Sequence, residues 1–269
     1  MRAGHAAQAL FAICQREVRR FVQQRSRLLS ALVRPTLWLA VFAAGFQNVF
    51  GMSVVEPYDR FVTYQEYVAP GLLGMVLLFN GMQSSLAMVY DREMGMMRLL
   101  LTAPLPRVYL LACKLLAGTV LSMLQAYAFL AVCAWFGVGL PWGGWLSALP
   151  ALLLCGLMLG ALGLLLAATI RQLENFAGAM NFVIFPMFFL SSALYPLWKL
   201  QESGATWVWW LARFNPFTHA VELIRYALYG RLNGEALTVV AAATLLFFIA
   251  AALGFDPQRG LVRLRRQAG

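Results

Sequence analysis

"LLAGTVLSMLQAYAFLAVCAWFGVGLPWGGWLSALPALLLCGLMLGALGLLLAATI", Leu115 to Ile170, contains no Asp, Glu, Lys or Arg. Wound as one helix at about 1.5 Å per residue, it would far exceed a hydrocarbon core about 30 Å thick. Near its middle stands Gly137-Val-Gly-Leu-Pro-Trp-Gly-Gly144. Glycine and proline at this density end helices, so the run divides into two membrane spans joined by a turn. Spans of this kind are helical, because a helix satisfies its own backbone polar groups where water is missing. The chain therefore reads as an all-α membrane protein.

The same rule applied outward gives six spans. Composition agrees, with 61% hydrophobic and only 12% charged residues and a mean hydropathy of +0.71. The first span runs from about Pro35 to Val55, with Arg34 snorkelling to the headgroups. The second fills the uncharged interval between Glu66 and Asp91, and the divided run supplies the third and fourth. Phe176 to Ala193 and Ala236 to Phe255 are the fifth and sixth. Between these last two, residues 194 to 235 are mixed in character and rich in tryptophan from Trp198 to Trp210. No shift in composition marks a second folding unit, so residues 1–269 read as a single membrane domain.

Lys and Arg stay on the cytoplasmic side of a membrane. With the N-terminus inside, 16 of the 21 basic residues fall on that side, and both termini are expected in the cytoplasm. The net charge of +10 is spread over loops that flank spans and does not form one face, which argues against a nucleic-acid partner. Ahead of the first span, Phe11, Cys14, Val18 and Phe21 recur at helical spacing while Arg16, Arg19 and Arg20 point elsewhere. Residues 8–27 thus read as an amphipathic helix lying in the inner interface, with membrane lipid under its apolar face.

Several chemistries are missing. Cys14, Cys113, Cys133 and Cys155 include no CxxC pair and read as packing residues, so no metal site is expected. No lysine follows a glycine in a phosphate-binding loop; Lys114 follows Cys113 and Lys199 follows Trp198. Every Asp and Glu falls outside the six spans, unlike ion-coupled carriers, which place ionisable groups at depth. Gly156, Gly160 and Gly163 allow close helix approach, either within the chain or between copies.

"YDREMGMMRLLLTAPLPR", Tyr90 to Arg107, is the exception in this apolar chain. Asp91 and Glu93 suit the start of a short helix. Met94, Met97, Leu100 and Leu101 form an apolar stripe, and Pro104 and Pro106 end it. Such a helix either docks in a groove of a partner or rests on lipid.

This passage resembles the cytoplasmic coupling helix of ABC-2 type permeases, membrane subunits of bacterial ABC exporters. Its matching positions are Asp91, Arg92, Glu93, Gly95, Leu100, Leu101, Pro104 and Arg107, with Met97 in the apolar stripe; Met96 and Arg98 depart from the usual pattern. "FFLSSALYPL" (Phe188 to Leu197) and "FNPFTHAVELIRYALYG" (Phe214 to Gly230) are similar to the family's fifth-span exit and the outer segment after it.

The resemblance implies a coupling helix over 91–103 and periplasmic re-entrant helices over 194–230. It further implies two permeases, a homodimer, paired with a separate cytoplasmic ABC ATP-binding subunit. That subunit would hold ATP and magnesium; this chain would bind no cofactor and would not itself be an enzyme. Cargo would pass along the first, second and fifth spans, where Gln47, Asn80, Gln83, Ser84, Asn181, Ser191 and Ser192 are candidate lining residues. Asn215, Pro216, Glu222 and Arg225 are candidates for an outer gate, with Glu222 and Arg225 spaced for an intrahelical pair. The sparse, uncharged lining suits a hydrophobic, amphipathic or lipid-linked cargo, such as a lipo-oligosaccharide or a drug, leaving through a bacterial inner membrane. An ATP-independent channel or scramblase is the alternative.

Overall fold

The computed structural model describes residues 3–23, 25–46, 56–95, 106–170 and 172–255. Among them the regular elements are all helices. In chain order these are α1 (Ala3–Gln23), α2 (Arg25–Phe46), α3 (Tyr64–Glu93), α4 (Arg107–Trp135), α5 (Trp142–Ser147) and α6 (Leu149–Thr169). They are followed by α7 (Leu173–Phe189), α8 (Leu197–Glu202), α9 (Thr206–Phe214), α10 (Pro216–Leu228) and α11 (Gly234–Gly254).

The break expected in the uncharged run falls where α4 ends. Gly137 adopts φ +72°, a conformation open to glycine. The Val138 N–H closes the helix end by donating to the Cys133 carbonyl at 3.0 Å. Among the described residues, four helices, α3, α4, α6 and α11, are long and apolar enough to cross a membrane. They correspond to the expected second, third, fourth and sixth spans.

The other two expected spans differ from their sequence boundaries. α2 begins at Arg25 rather than Pro35 and carries Pro35 inside it; the remainder of that expected span, residues 47–55, lies outside the described residues. α7 has 17 residues and stops at Phe189. Residues 197 to 228 form three short helices, α8 to α10.

α3 is the central column, buried along most of its length. It starts at an N-cap, where Thr63 accepts from the Glu66 N–H at 3.3 Å. Small residues set its spacing from α6. A Cβ on Gly81 would lie 3.0 Å from the Gly160 nitrogen, and one on Gly163 would lie 2.8 Å from the Gly81 carbonyl oxygen. Gly160 in turn faces Leu115 of α4, so these glycines serve contacts within the chain.

The irregular turn after α7 places backbone carbonyls deep in the protein, where each needs a donor. Asn215 Nδ2 donates to the Met187 and Leu190 carbonyls, both at 2.7 Å. The Tyr67 hydroxyl reaches the Ser192 carbonyl and the Tyr64 hydroxyl reaches that of Leu194, both at 2.9 Å. One end of α3 and the start of α10 thereby hold this turn.

Candidate functional site at the two ends of the bundle

Asp91, Arg92 and Glu93 form the last turn of α3, not the first turn of a separate helix. The expectation that their carboxylates meet a positive helix end is corrected. They stand at the negative end, and other helices compensate them. Asp91 is fully buried. Its Oδ2 accepts from Arg16 of α1 at 2.9 Å and from Lys114 of α4 at 3.3 Å. Arg92 Nη2 donates to the Ala167 carbonyl near the end of α6 at 2.9 Å. Glu93 Oε1 accepts from the Leu173 N–H, the first residue of α7, at 2.8 Å. Three consecutive side chains thus join α3 to four other helices.

Just beyond them, Gly95 adopts φ +72° and turns the chain away. Arg107 opens α4 on the other side of the connection. Met97, Leu100, Leu101 and Pro104 lie outside the described residues.

At the opposite end of α3, Arg225 is 3% exposed, and its guanidinium pairs with Glu222 one turn earlier on α10. Its Nη2 also donates to the Ser192 carbonyl at 2.9 Å. Its Cζ lies 4.1 Å from the centroid of the Tyr67 ring, a cation–π contact. Tyr58 packs edge-on against Tyr229 with ring centroids 4.9 Å apart, and burial pushes its phenol up to about 12. Asn215 caps α10 by accepting from the Phe217 N–H at 3.0 Å, with Pro216 in the first helical turn.

Among the described residues, five buried polar atoms in this cluster have no hydrogen-bond partner: Tyr58 Oη, Glu66 Oε2, Ser192 Oγ, Arg225 Nε and Tyr229 Oη. This polar seam is incompletely satisfied, unlike ordinary protein interior.

The lining candidates separate into two groups. Asn80, Ser191 and Ser192 are buried inside the chain and do not face outward. Asn80 donates to Ser122 Oγ of α4 at 2.8 Å, and Ser191 Oγ donates to the Phe188 carbonyl at 2.6 Å. The Asn80 and Ser191 side chains thus make contacts between and within elements, and the buried Ser192 hydroxyl is among the unpartnered atoms of the polar seam. Gln83 and Ser84 are partly exposed and Asn181 is exposed. Gln47 lies outside the described residues. The sequence reading missed Arg16, Lys114, Tyr58 and Tyr67, whose partners Asp91, Arg225 and Tyr229 stand on other elements, 23 residues away for Lys114 and 75 or more for the rest; only the fold brings them together.

Residues 8–229 match the family model of the ABC-2 type transporter. The chain belongs to the ABC-2 type transporter family. It is 28% identical over 225 residues to a protein of Cyanophora paradoxa named as a transport permease, ycf38, covering 81% of this chain and 73% of that one. Nodulation protein J of Rhizobium leguminosarum bv. trifolii is 35% identical over 89 residues, 33% of this chain and 32% of that protein. An Escherichia coli K12 protein named as a multidrug ABC transporter permease, YbhR, is 26% identical over 171 residues, 62% and 45% of the two chains. This ABC-2 permease is thus a multi-pass membrane subunit of a transporter, in a family whose members work with an ATP-binding subunit.

Proposed function

We propose that this ABC-2 permease is the membrane half of an ATP-driven exporter. A separate cytoplasmic ABC ATP-binding subunit docks on the connection between Gly95 and Arg107 and moves it. The cargo is hydrophobic, amphipathic or lipid-linked and leaves the cytoplasm or the inner leaflet of the bacterial inner membrane. Both chain termini are cytoplasmic in this reading, and α1 lies in the inner interface.

The observation that carries the proposal is the attachment of Asp91, Arg92 and Glu93 to α1, α4, α6 and α7. A displacement of the connection acts on the last turn of α3 and reaches four helices through charged contacts. At the outer end, the incompletely satisfied seam around Arg225 is where α10 can part from the turn after α7, acting as a gate. Two copies pair so that cargo passes along outward faces of α2 and α7, which expose Val33, Leu37, Val41, Phe182, Phe185 and Phe189. The relative named as a multidrug permease supports export of a drug-like cargo.

The test is Gly95→Pro in proteoliposomes holding the permease and its ATP-binding subunit. Proline fixes φ near −65°, incompatible with the φ of +72° at this position. Cargo-stimulated ATP hydrolysis is expected to vanish while membrane insertion is unchanged. Transport by the wild-type protein with no nucleotide present would replace the exporter with an ATP-independent channel or scramblase.

A further inference from the structure

Arg34 was expected at the cytoplasmic edge of the first span, and the structure places its head group elsewhere. Its Cζ lies 4.3 Å from the centroid of the Phe79 ring on α3. Phe79 stands twelve residues after Tyr67 and twelve before Asp91, or about 18 Å from each along a helix rising 1.5 Å per residue. Those two residues mark the outer and inner limits of the uncharged part of α3. The guanidinium therefore sits midway between them, at the centre of the apolar layer.

A cation at that depth is rare and belongs either to an internal pair or to a pathway. Arg34 belongs to none of the ion pairs seen among the described residues, which include those of Arg16, Arg60, Lys114, Arg213, Arg225 and Arg231. Arg34 is also exposed on the surface of the chain, and its α2 neighbours Val33 and Leu37 are 50% and 59% exposed. One turn along α3 from Phe79, Gln83 is partly exposed. The result is a lone guanidinium held on an aromatic ring, bordered by an apolar wall and one amide.

We propose that Arg34 receives the acidic group of the cargo, and that the cargo is an anionic amphiphile carrying a phosphate or carboxylate on an apolar chain. This rests on the exporter reading above and narrows its substrate class. The fork of N–H donors matches both acids bidentately. Stacking on Phe79 uses the face of the guanidinium and leaves its edge for the ligand. An apolar chain supplies contact with Val33 and Leu37 that offsets the acid's loss of hydration, which a small free anion cannot do. A cationic amphiphile meets repulsion at the same place, so the residue selects as well as binds.

The test uses the full-length permease in nanodiscs of phosphatidylcholine, without an ATP-binding subunit. Calorimetry compares dodecyl phosphate, dodecyl maltoside and inorganic phosphate. Dodecyl phosphate is expected to bind at least about tenfold more tightly than the maltoside, the worth of a charge-assisted hydrogen bond. Arg34→Gln should abolish that preference, and Arg34→Lys should keep part of it, with maltoside affinity unchanged in both. Equal affinities in the wild type, or a full preference in Arg34→Gln, would overturn the assignment. Inorganic phosphate displacing dodecyl phosphate at equal concentration would overturn it too, by making the ligand a free anion. Because no nucleotide enters the measurement, failure of energy coupling leaves this result untouched, and an absent preference leaves coupling untouched.

Discussion

Asp91 and Arg225 are both buried charges, 0% and 3% exposed, at opposite ends of the bundle, and they are neutralised in different ways. Asp91 draws its cations from two other helices, α1 and α4. Arg225 draws its carboxylate from its own helix, one turn away, and reaches its neighbours mainly through carbonyl oxygens and an aromatic face. Separating helices around Asp91 strands a charge in a low-dielectric place, which is strongly unfavourable. Separating α10 from the turn after α7 moves a pair already neutral and breaks hydrogen bonds that water can replace. The Asp91 end is built as a stiff joint and the Arg225 end as a seam.

The largest effect that could break this contrast is expected at the joint. Asp91→Asn leaves Lys114 with 16% of its side chain exposed and no carboxylate partner at Asp91. The loss should be about 3–5 kcal/mol, the usual result of removing one member of a buried pair. Thermal unfolding in detergent checks it, and removing the cations should rank Lys114→Gln above Arg16→Gln, since Arg16 is the more exposed partner. A stability change no larger than that of a surface substitution would mean that the joint is not stiff.

Smaller effects belong to the seam. Glu222→Gln should lose about 1.5–3 kcal/mol by leaving Arg225 without its charged partner. Adding Arg225→Gln should recover part of that loss, because no lone cation is then buried. Asn215→Ala removes the α10 cap and both donors to the turn after α7, and about 2 kcal/mol is expected. The contrast sharpens if these variants alter cargo release while ATP hydrolysis continues, and Asp91→Asn stops both.

How much of this could be read from the chain follows from the range of the forces involved. Long uncharged runs report burial in lipid directly, so α3, α4, α6 and α11 were visible in advance. The stop at Gly137 was visible too, because glycine and proline act locally. The place of Asp91 was not. A triplet of charges after an apolar run reads equally well as the end of one helix or the start of the next. The deciding contacts come from Arg16 and Lys114, 75 and 23 residues away. The contact of Arg34 with Phe79 was hidden for a similar reason: a single arginine before an apolar run usually marks the membrane edge, and the ring it stacks on lies 45 residues further along the chain.

The smallest expected effect on stability tests the passage of motion out of the joint. Gly95 has open space where a Cβ would stand, so Gly95→Ala meets no clash. Its φ of +72° still disfavours an L side chain by roughly 1–2 kcal/mol. That strain falls on the turn itself, beyond the hydrogen bonds of Asp91, Arg92 and Glu93. Thermal unfolding of the bundle should therefore shift little, while cargo-stimulated ATP hydrolysis falls because the turn no longer holds its angle. Equal losses in both would place Gly95 inside the stiff joint, and unchanged hydrolysis would show that motion enters α3 by another route.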